Sequence, residues 1–214
     1  TPRGAGTGLA GGAVPLLGGV LIDLTKMNKI LSYDLENFVV HVEAGVLLKD
    51  LAEDCAKQGL LYAPDPGEKL ACLGGNVATN AGGMRAVKYG ATRDYVRAMT
   101  VVLPTGEITK FGATVSKTSS GYSLLNLMIG SEGTLGIITE LTLKTIVAPK
   151  EVASLIIPFE NLDDCISAVP KFKMEHMNPQ ALEFMEREIV LCSERYIGKS
   201  VFRSEEHTSE LQSP

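Results

Sequence analysis

The chain has 214 residues, of which 45% are hydrophobic and 21% charged, a composition typical of a soluble globular protein. Its net charge of −5, without a long basic run, argues against a surface for nucleic acid or an anionic membrane. No segment approaches the roughly 18 consecutive apolar residues of a membrane span, and no secretory signal is recognisable. Cys55, Cys72, Cys165 and Cys192 show no metal-ligand spacing, so we expect reduced thiols in a cytoplasmic protein.

Both ends of the chain are unusual. The sequence enters a glycine-rich loop directly after Thr1, although a strand normally precedes such a loop, so we expect residues upstream. The segment Arg203–Pro214 is polar and aperiodic and resembles a translated sequencing adapter. We therefore interpret this tail as foreign to the fold.

In chain order, hydrophobic periodicity and turn residues predict a mixture of strands and helices up to residue 148. The predicted strands are Val20–Leu24, expected to be buried, Lys29–Tyr33, Asn37–Glu43, Val96–Leu103, Glu107–Phe111 and Ile137–Lys144. The predicted helices are Leu47–Gln58 with Gly59 at its C-terminal cap, a short helix over Gly75–Asn80, and Ser123–Met128.

Glycine becomes rare after residue 148, which predicts a domain boundary. Beyond it we expect a strand over Ser154–Phe159, a helix over Leu162–Lys173, a strand over Ala181–Met185 and a helix over Glu186–Tyr196. The predicted organisation is an α+β domain over 1–148, the beginning of a second α+β domain over 149–202, and the foreign tail over 203–214.

The first glycine-rich segment, Pro2–Pro15, is suited to an anionic ligand. Gly4, Gly6 and Gly8 let the backbone approach a ligand closely, and successive N–H groups form a concave site for a pyrophosphate. The run nearly matches the dinucleotide-binding pattern, but the required strand–loop–helix context is absent. Taken alone, the segment fits a flexible turn equally well.

Two further segments are rich in small residues. In Leu73–Arg85 such residues could lie against a flat ring or a diphosphate, with Asn76, Thr79 and Asn80 as uncharged hydrogen-bonding groups; a tight helix–helix contact is the alternative. In Ile129–Ile137 hydroxyl groups and free N–H groups again indicate a ligand, although a plain turn into a strand is possible.

Four motifs together resemble a known family. P-R-G-A-G-T-G-L-A-G-G, P-D-P-G-E-K with L-G-G-N-V-A-T-N-A-G-G, K-Y-G-A-T-R-D-Y-V, and S-G-Y-S-L-L-N-L-M-I-G-S-E-G-T-L-G-I-I-T-E occur in order. This pattern is similar to the glycolate oxidase FAD-binding subunit and D-lactate dehydrogenase group of the vanillyl-alcohol-oxidase-like flavoproteins, over Pro2 to about Phe202. The resemblance implies a two-lobed α+β FAD-binding domain of the PCMH type, followed by the start of a substrate domain.

The resemblance also implies which residues bind FAD. Arg3, Gly4, Ala5, Gly6, Thr7 and Gly8 are expected at the pyrophosphate. Pro64, Gly74, Gly75, Asn76, Thr79 and Asn80 are expected along the flavin and diphosphate, with Gly82, Gly83, Tyr89 and Gly90 continuing that wall. Glu132, Gly133, Gly136 and Ile137 are expected on the adenosine and ribitol side.

The histidines bear on how the cofactor is held. Pro2–Pro15 contains no histidine, so we expect non-covalent FAD. His41 on a strand, His176 in a loop and His207 in the tail receive no catalytic role. In the resembling family a C-terminal domain supplies the metal and the general base, so we assign neither a metal site nor a catalytic residue to this chain.

The resemblance implies oxidation of a small 2-hydroxy acid, D-lactate or glycolate, with hydride transfer to the flavin. Electrons would then pass to a partner, an iron–sulfur subunit or an electron-transfer flavoprotein. The alternatives are an FAD-linked oxidase of another substrate, a non-catalytic flavin-holding subunit that relays electrons, and a nucleotide binder without flavin. We expect the chain alone to be inactive.

Overall fold

The computed structural model describes residues 1–200 and 210–213, and the chain divides into two units. The first unit comprises residues 1–83 and 90–148, and the second comprises residues 84–89 and the chain from Pro149 onward. Both units contain helices and strands, which confirms the predicted α+β class.

Two short parallel strands, β1 (Pro2–Arg3) and β2 (Ile22–Asp23), flank the first glycine-rich segment. The sequence predicted a buried strand over Val20–Leu24, and the burial is wrong: Val20 is 75% exposed and Ile22 is 40% exposed. Two strands of two residues each have too few neighbours to cover both faces, unlike the fully covered parallel sheets of α/β proteins.

A five-stranded antiparallel sheet forms the core of the first unit. In chain order its strands are β3 (Ile30–Asp34), β4 (Val39–Glu43), β6 (Val96–Val102), β7 (Ile108–Gly112) and β8 (Ile137–Lys144), and their spatial order is β3-β4-β8-β6-β7. This confirms every strand predicted between residues 29 and 144.

Leu141 in the central strand β8 shows how the sheet is packed. It pairs with Val42 on one side and with Met99 on the other, and all three side chains are buried. Apolar side chains that meet across neighbouring strands stabilise a sheet most where water is excluded.

The helices of the chain up to residue 128 are short. Their bounds are α1 (Leu48–Lys57), α2 (Leu73–Ala78), α3 (Ala86–Tyr89, in the second unit), a 3-10 helix (Thr92–Tyr95) and α4 (Leu124–Met128). In α1, Leu51 and Cys55 recur at i and i+4 and are fully buried, and Gly59 follows the helix with φ +70°, as predicted for its cap. The sequence did not predict α3, the 3-10 helix, or the small pair β5 (Leu60–Leu61) and β9 (Ile146–Val147).

The second unit contains β10 (Leu155–Pro158), α5 (Leu162–Met174), β11 (Glu183–Met185) and α6 (Arg187–Ile197), close to the four elements predicted there. The Asn161 side chain accepts a hydrogen bond from the Asp164 N–H at 2.9 Å and begins α5. Gly198, with φ +67°, ends α6 in the left-handed conformation that glycine adopts without steric cost.

Part of the segment that we interpret as foreign carries a strand. β12 (Glu210–Ser213) lies between β10 and β11 and pairs antiparallel with both. Residues 203–209 and 214, and with them His207, lie outside the described residues. The foreign origin of this tail, like the domain boundary at 148, stays a prediction.

We expect Leu141→Ala to lower the free energy of unfolding of the intact protein by about 2–5 kcal/mol, because the truncation leaves a cavity between β4 and β6. Urea unfolding followed by circular dichroism measures the change. Ile108→Ala is the control: Ile108 is 70% exposed on β7, and its truncation should cost less than about 1 kcal/mol. Equal losses in the two variants would contradict the assigned core.

Candidate functional site: a cleft between three glycine-rich segments

A cleft of about 530 Å³ lies within the first unit, where the three glycine-rich segments meet. This volume is within the range of small-molecule and cofactor sites, about 300–1,000 Å³. Most of the residues expected to bind FAD line it, namely Arg3, Gly4, Ala5, Gly6, Thr7, Gly8, Gly74, Gly75, Asn76, Thr79, Glu132, Gly133, Gly136 and Ile137. The structure therefore brings together residues as far apart in sequence as Arg3 and Ile137.

The first segment offers the cleft unpaired backbone donors. Within the described part of the chain, the N–H groups of Gly6, Thr7 and Gly8 make no hydrogen bond to protein. Gly6 has φ +72°, a backbone conformation that residues with a side chain rarely adopt. The loop therefore depends on glycine here, and its free N–H groups form the concave kind of surface that binds anions.

Charge in the cleft is sparse. Of the described residues that line it, Arg3 alone is cationic, while Glu68 and Glu132 are carboxylates. Hydrogen bonds from Thr25 keep the pKa of the neighbouring Asp23 below its ordinary value, and the charge of Arg3 adds a smaller contribution. Any phosphate bound here would thus depend on backbone donors more than on opposite charge.

The second segment places two glycines with different roles at the start of α2. Gly74 packs against Ala44, to whose carbonyl it donates at 2.8 Å, and an added Cβ would lie 2.7 Å from the Ala44 Cβ. Gly75 is exposed and has no atom within 4 Å of an added Cβ. The close contact at Gly74 thus joins a helix to the end of β4 and is not the helix–helix contact that was the alternative.

Asn76 carries the most specific polar signal in the cleft. It is 5% exposed, and its Nδ2 amide has no hydrogen-bond partner among the described residues. A buried donor without a partner costs about 1–3 kcal/mol, so natural structures rarely keep one unless a ligand, ion or water meets it. Asn76 lines the cleft and therefore indicates an acceptor in the ligand.

The third segment docks on α2 through its backbone. The N–H of Gly130 donates to the Val77 carbonyl at 3.1 Å, and the N–H of Glu132 donates to the Ala78 carbonyl at 2.9 Å. Glu132 has φ +53° and is exposed at the cleft, which is unusual for a residue with a side chain. Its carboxylate lies near Gly12 of the first segment, where it can accept hydrogen bonds from hydroxyl groups.

Six of the residues expected to bind FAD do not line the cleft, namely Pro64, Asn80, Gly82, Gly83, Tyr89 and Gly90. Pro64 is buried, and Gly82 is exposed. The backbone of Gly83 packs against the Asp65 carbonyl, and Gly90 turns with φ +83° against the Asp94 side chain. Asn80 accepts a hydrogen bond from the Arg93 N–H, and Tyr89 belongs to the second unit.

Sequence reasoning missed several residues that line the cleft. They are Pro2, Leu9, Ala10, Gly11, Gly12, Ala13, Leu24, Ala44, Pro66, Glu68, Ala71, Cys72 and Ile138, whereas Ala78 and Ala81 belong to the small residues expected near the ligand in the second segment. Most are small or apolar and carry no chemical signature, so only the pairing of distant segments reveals them. Leu9–Ala13 lie inside the first glycine-rich segment and could have been included on that ground.

Cys72 connects the segments of the cleft at its floor. Its Sγ donates to the Gly45 carbonyl at 3.4 Å and accepts a hydrogen bond from the Ala5 N–H. Burial raises the pKa of this thiol above its ordinary value, so it stays protonated at neutral pH. Cys72 thus acts as a small hydrogen-bonding spacer between the first loop and α2.

Neither histidine that the structure describes lies in the cleft. The Nδ1 atom of His41 lies 3.0 Å from the Thr142 hydroxyl on the sheet, and His176 follows α5. No described residue groups with others into a cluster that could hold a metal ion. That the cofactor is held without a covalent bond stays a prediction.

Comparison with known families identifies the class of protein. Residues 1–112, just over half of the chain, match the model of the FAD binding domain, and residues 148–211 match that of the C-terminal domain of FAD linked oxidases. The chain therefore belongs to the FAD-linked oxidase family, and its cofactor is FAD.

Two named relatives and one solved structure show which kinds of protein the chain is similar to. The chain is 74% identical over 211 residues to a D-lactate dehydrogenase of Anaerostipes hadrus, covering 99% of this chain and 44% of that protein. It is 40% identical over 196 residues to the glycolate oxidase subunit GlcD of Bacillus subtilis, covering 91% of this chain and 42% of the relative. An alkyldihydroxyacetonephosphate synthase superposes with a TM-score of 0.82 at 26% identity, over 99% of this chain and 41% of the other. The chain thus spans less than half the length of these relatives.

Because Cys72 is buried in the cleft and its thiol has a raised pKa, we expect iodoacetamide at neutral pH to label exposed Cys192 first and Cys72 slowly. Added FAD should slow the labelling of Cys72 further, and more than that of Cys55, which is buried outside the cleft. Mass spectrometry of proteolytic peptides gives the rates. An unchanged labelling rate of Cys72 in the presence of FAD would contradict its placement beside the cofactor.

Proposed function

We propose that this chain forms the FAD-binding part of an enzyme that oxidises a small 2-hydroxy acid, D-lactate or glycolate. The cleft at the meeting point of the three glycine-rich segments carries the proposal, because it offers an extended ligand free N–H groups and one buried, unpaired amide. The names of the D-lactate dehydrogenase and of the glycolate oxidase subunit support the substrate class.

The first segment is assigned to the pyrophosphate. The free N–H groups of Gly6, Thr7 and Gly8 donate to phosphate oxygens, and Arg3 adds the positive charge of the cleft. The hydroxyl of Thr7 is a further donor to the same group.

The second and third segments are assigned to the rest of the cofactor. Gly74, Gly75, Asn76 and Thr79 lie along the flavin and diphosphate, where the Asn76 amide meets an acceptor that the protein itself does not supply. Glu132, Gly133, Gly136 and Ile137 lie on the adenosine and ribitol side, and the Glu132 carboxylate is suited to a sugar hydroxyl.

The six expected residues outside the cleft receive different roles. Asn80, Gly83 and Gly90 shape the segments behind the cleft, because they contact the Arg93 N–H, the Asp65 backbone and Asp94. Pro64, Gly82 and Tyr89 remain proposed as part of the flavin wall on the family resemblance alone.

The chemistry divides between the cofactor and the protein. Bound FAD supplies the acceptor for the hydride that leaves the α-carbon of the hydroxy acid. The chain binds and orients the cofactor, and apolar residues such as Leu24 and Ile138 help to exclude water from the cleft. We assign the general base and the group that binds the substrate carboxylate to parts of the protein beyond this chain.

The proposal also covers the electron acceptor and the cellular compartment. Electrons leave the reduced cofactor for a partner, which we propose is an iron–sulfur subunit or an electron-transfer flavoprotein; the name of the Bacillus subtilis relative supports only that it works as a subunit. In the described part of the chain, no helix has both the length and the apolar character that crossing a bilayer requires. Four free cysteines favour a reducing compartment, and we propose the cytoplasm.

Two other functions are compatible with the same cleft. The likeness to alkyldihydroxyacetonephosphate synthase favours a different substrate on the same flavin domain. A flavin-holding subunit that only relays electrons is the second alternative, because this chain contains no assigned base. Turnover by the intact protein distinguishes both from the proposal.

We expect Gly75→Leu to abolish or strongly weaken FAD binding without unfolding the protein. The added side chain meets open space in the cleft, and leucine favours a helix over glycine by roughly 1 kcal/mol. Titration of flavin-free protein with FAD, followed by flavin fluorescence, measures the dissociation constant. Ala56→Leu, on the exposed face of α1, is the matched control and should bind FAD normally. Normal binding by Gly75→Leu would remove α2 from the cofactor site.

We expect the intact protein to reduce an artificial electron-acceptor dye with D-lactate or glycolate, and residues 1–214 alone to be inactive even with added FAD. The rate of dye bleaching over a panel of 2-hydroxy acids is the measurement. A flavin-loaded protein that is inert to every 2-hydroxy acid would support one of the two alternatives instead.

A further inference from the structure

The motif K-Y-G-A-T-R-D-Y-V contains a residue that the cofactor site does not use directly. Arg93 lies in the 3-10 helix Thr92–Tyr95, is half-buried and does not line the cleft. Its contacts nevertheless reach both of the glycine-rich segments that flank it in sequence.

On one side, Arg93 is attached to the end of the second glycine-rich segment. Its N–H donates to the Asn80 side chain at 2.9 Å, and Asn80 has φ +47°, a left-handed conformation that a side-chain hydrogen bond helps to hold. The preceding Thr92, which is fully buried, donates from its hydroxyl to the Ala81 carbonyl at 2.7 Å. The 3-10 helix is thus fixed to the turn that follows α2.

On the other side, the guanidinium of Arg93 binds the approach to the third glycine-rich segment. Nη1 donates to the carbonyl of Asn126 at 2.9 Å and to its side-chain oxygen at 3.1 Å. Nη2 donates to the carbonyl of Ile129 at 3.1 Å. These acceptors lie at the end of α4, where helix carbonyls lack partners within the helix.

The segments that Arg93 joins are those whose backbones dock on each other. Gly130 and Glu132 donate to the carbonyls of Val77 and Ala78, and Glu132 and Gly133 then turn into the cleft with positive φ. Two hydrogen bonds between backbones join the segments at this junction, and the three guanidinium contacts add a second attachment from the side of the 3-10 helix. The planar fork of arginine can reach these acceptors together, which the single ammonium of lysine cannot.

We propose that Arg93 is a positioning residue for the cofactor: by joining the Asn80 turn to the end of α4, it sets the separation of the second and third glycine-rich segments. This inference rests on the proposed binding of FAD in the cleft. Its consequence is that the loss of the guanidinium fork weakens FAD binding more than it weakens the fold.

The test uses the intact protein, stripped of flavin and titrated with FAD. We expect Arg93→Lys and Arg93→Met to raise the FAD dissociation constant at least about tenfold, because misplaced donors lose their hydrogen bonds to the ligand. The melting temperature of the flavin-free variants should stay close to that of the flavin-free wild type, whereas the increase on adding FAD should shrink. Arg97→Lys is the matched control, since within the described part of the chain the Arg97 side chain makes one hydrogen bond, to the Ser116 carbonyl at 3.3 Å, and lies outside the cleft.

Wild-type FAD affinity in Arg93→Lys would overturn the inference. So would a flavin-free Arg93→Lys that is destabilised enough to account for its whole loss of affinity, because Arg93 would then only support the fold. A wild-type protein that fails to bind FAD would overturn the proposed function itself, and this inference with it. The wild-type titration therefore separates the two failures.

Discussion

Close approach of backbone to backbone is the constraint on which this structure depends. At Gly74, Gly83 and Gly136 the chain passes so near to Ala44, Asp65 and Val101 that a Cβ would collide. These contacts bring three segments, distant in sequence, around one cleft. Glycine makes such contacts possible but has no side chain to stabilise them. Hydrogen bonds donated by Cys72 and Arg93, and one accepted by the Asn80 side chain, stabilise the segments instead.

The glycines consequently serve two purposes that a sequence does not distinguish. Packing requires glycine at Gly74 and Gly136, where an added Cβ would collide with neighbouring atoms. An added Cβ at Gly75 or Gly8 would meet open space, so the lack of a side chain there leaves room for a ligand. A cofactor cleft of this kind needs both: residues that let the walls meet, and residues that leave the interior empty. The unpaired Asn76 amide then favours a ligand that places a hydrogen-bond acceptor in this space.

Local patterns located the longer helices and strands but not the residues of the site. A run of β-branched residues located β4, hydrophobic patterning located β8, and the spacing of Leu51 and Cys55 located α1, because these signals depend on neighbours in sequence. The exposure of Val20 could not be predicted from local patterns, because the burial of a strand depends on whether residues from elsewhere in the chain cover it. Likewise, Ala44 and Cys72 enter the cleft only through contacts with residues some thirty or more positions away, and Tyr89 falls in the other unit.

The donors offered by Gly6, Thr7 and Gly8 belong to the main chain, and this has a consequence for how substitutions affect such a site. Alanine at Thr7 or Gly8 would leave the N–H group of that residue in place and would underrate the loop, whereas alanine at Gly6, with φ +72°, would strain the backbone. Replacing a single amide by an ester at Thr7 would delete one donor and keep the side chain. Backbone angles therefore constrain what this loop can bind more than side-chain chemistry does.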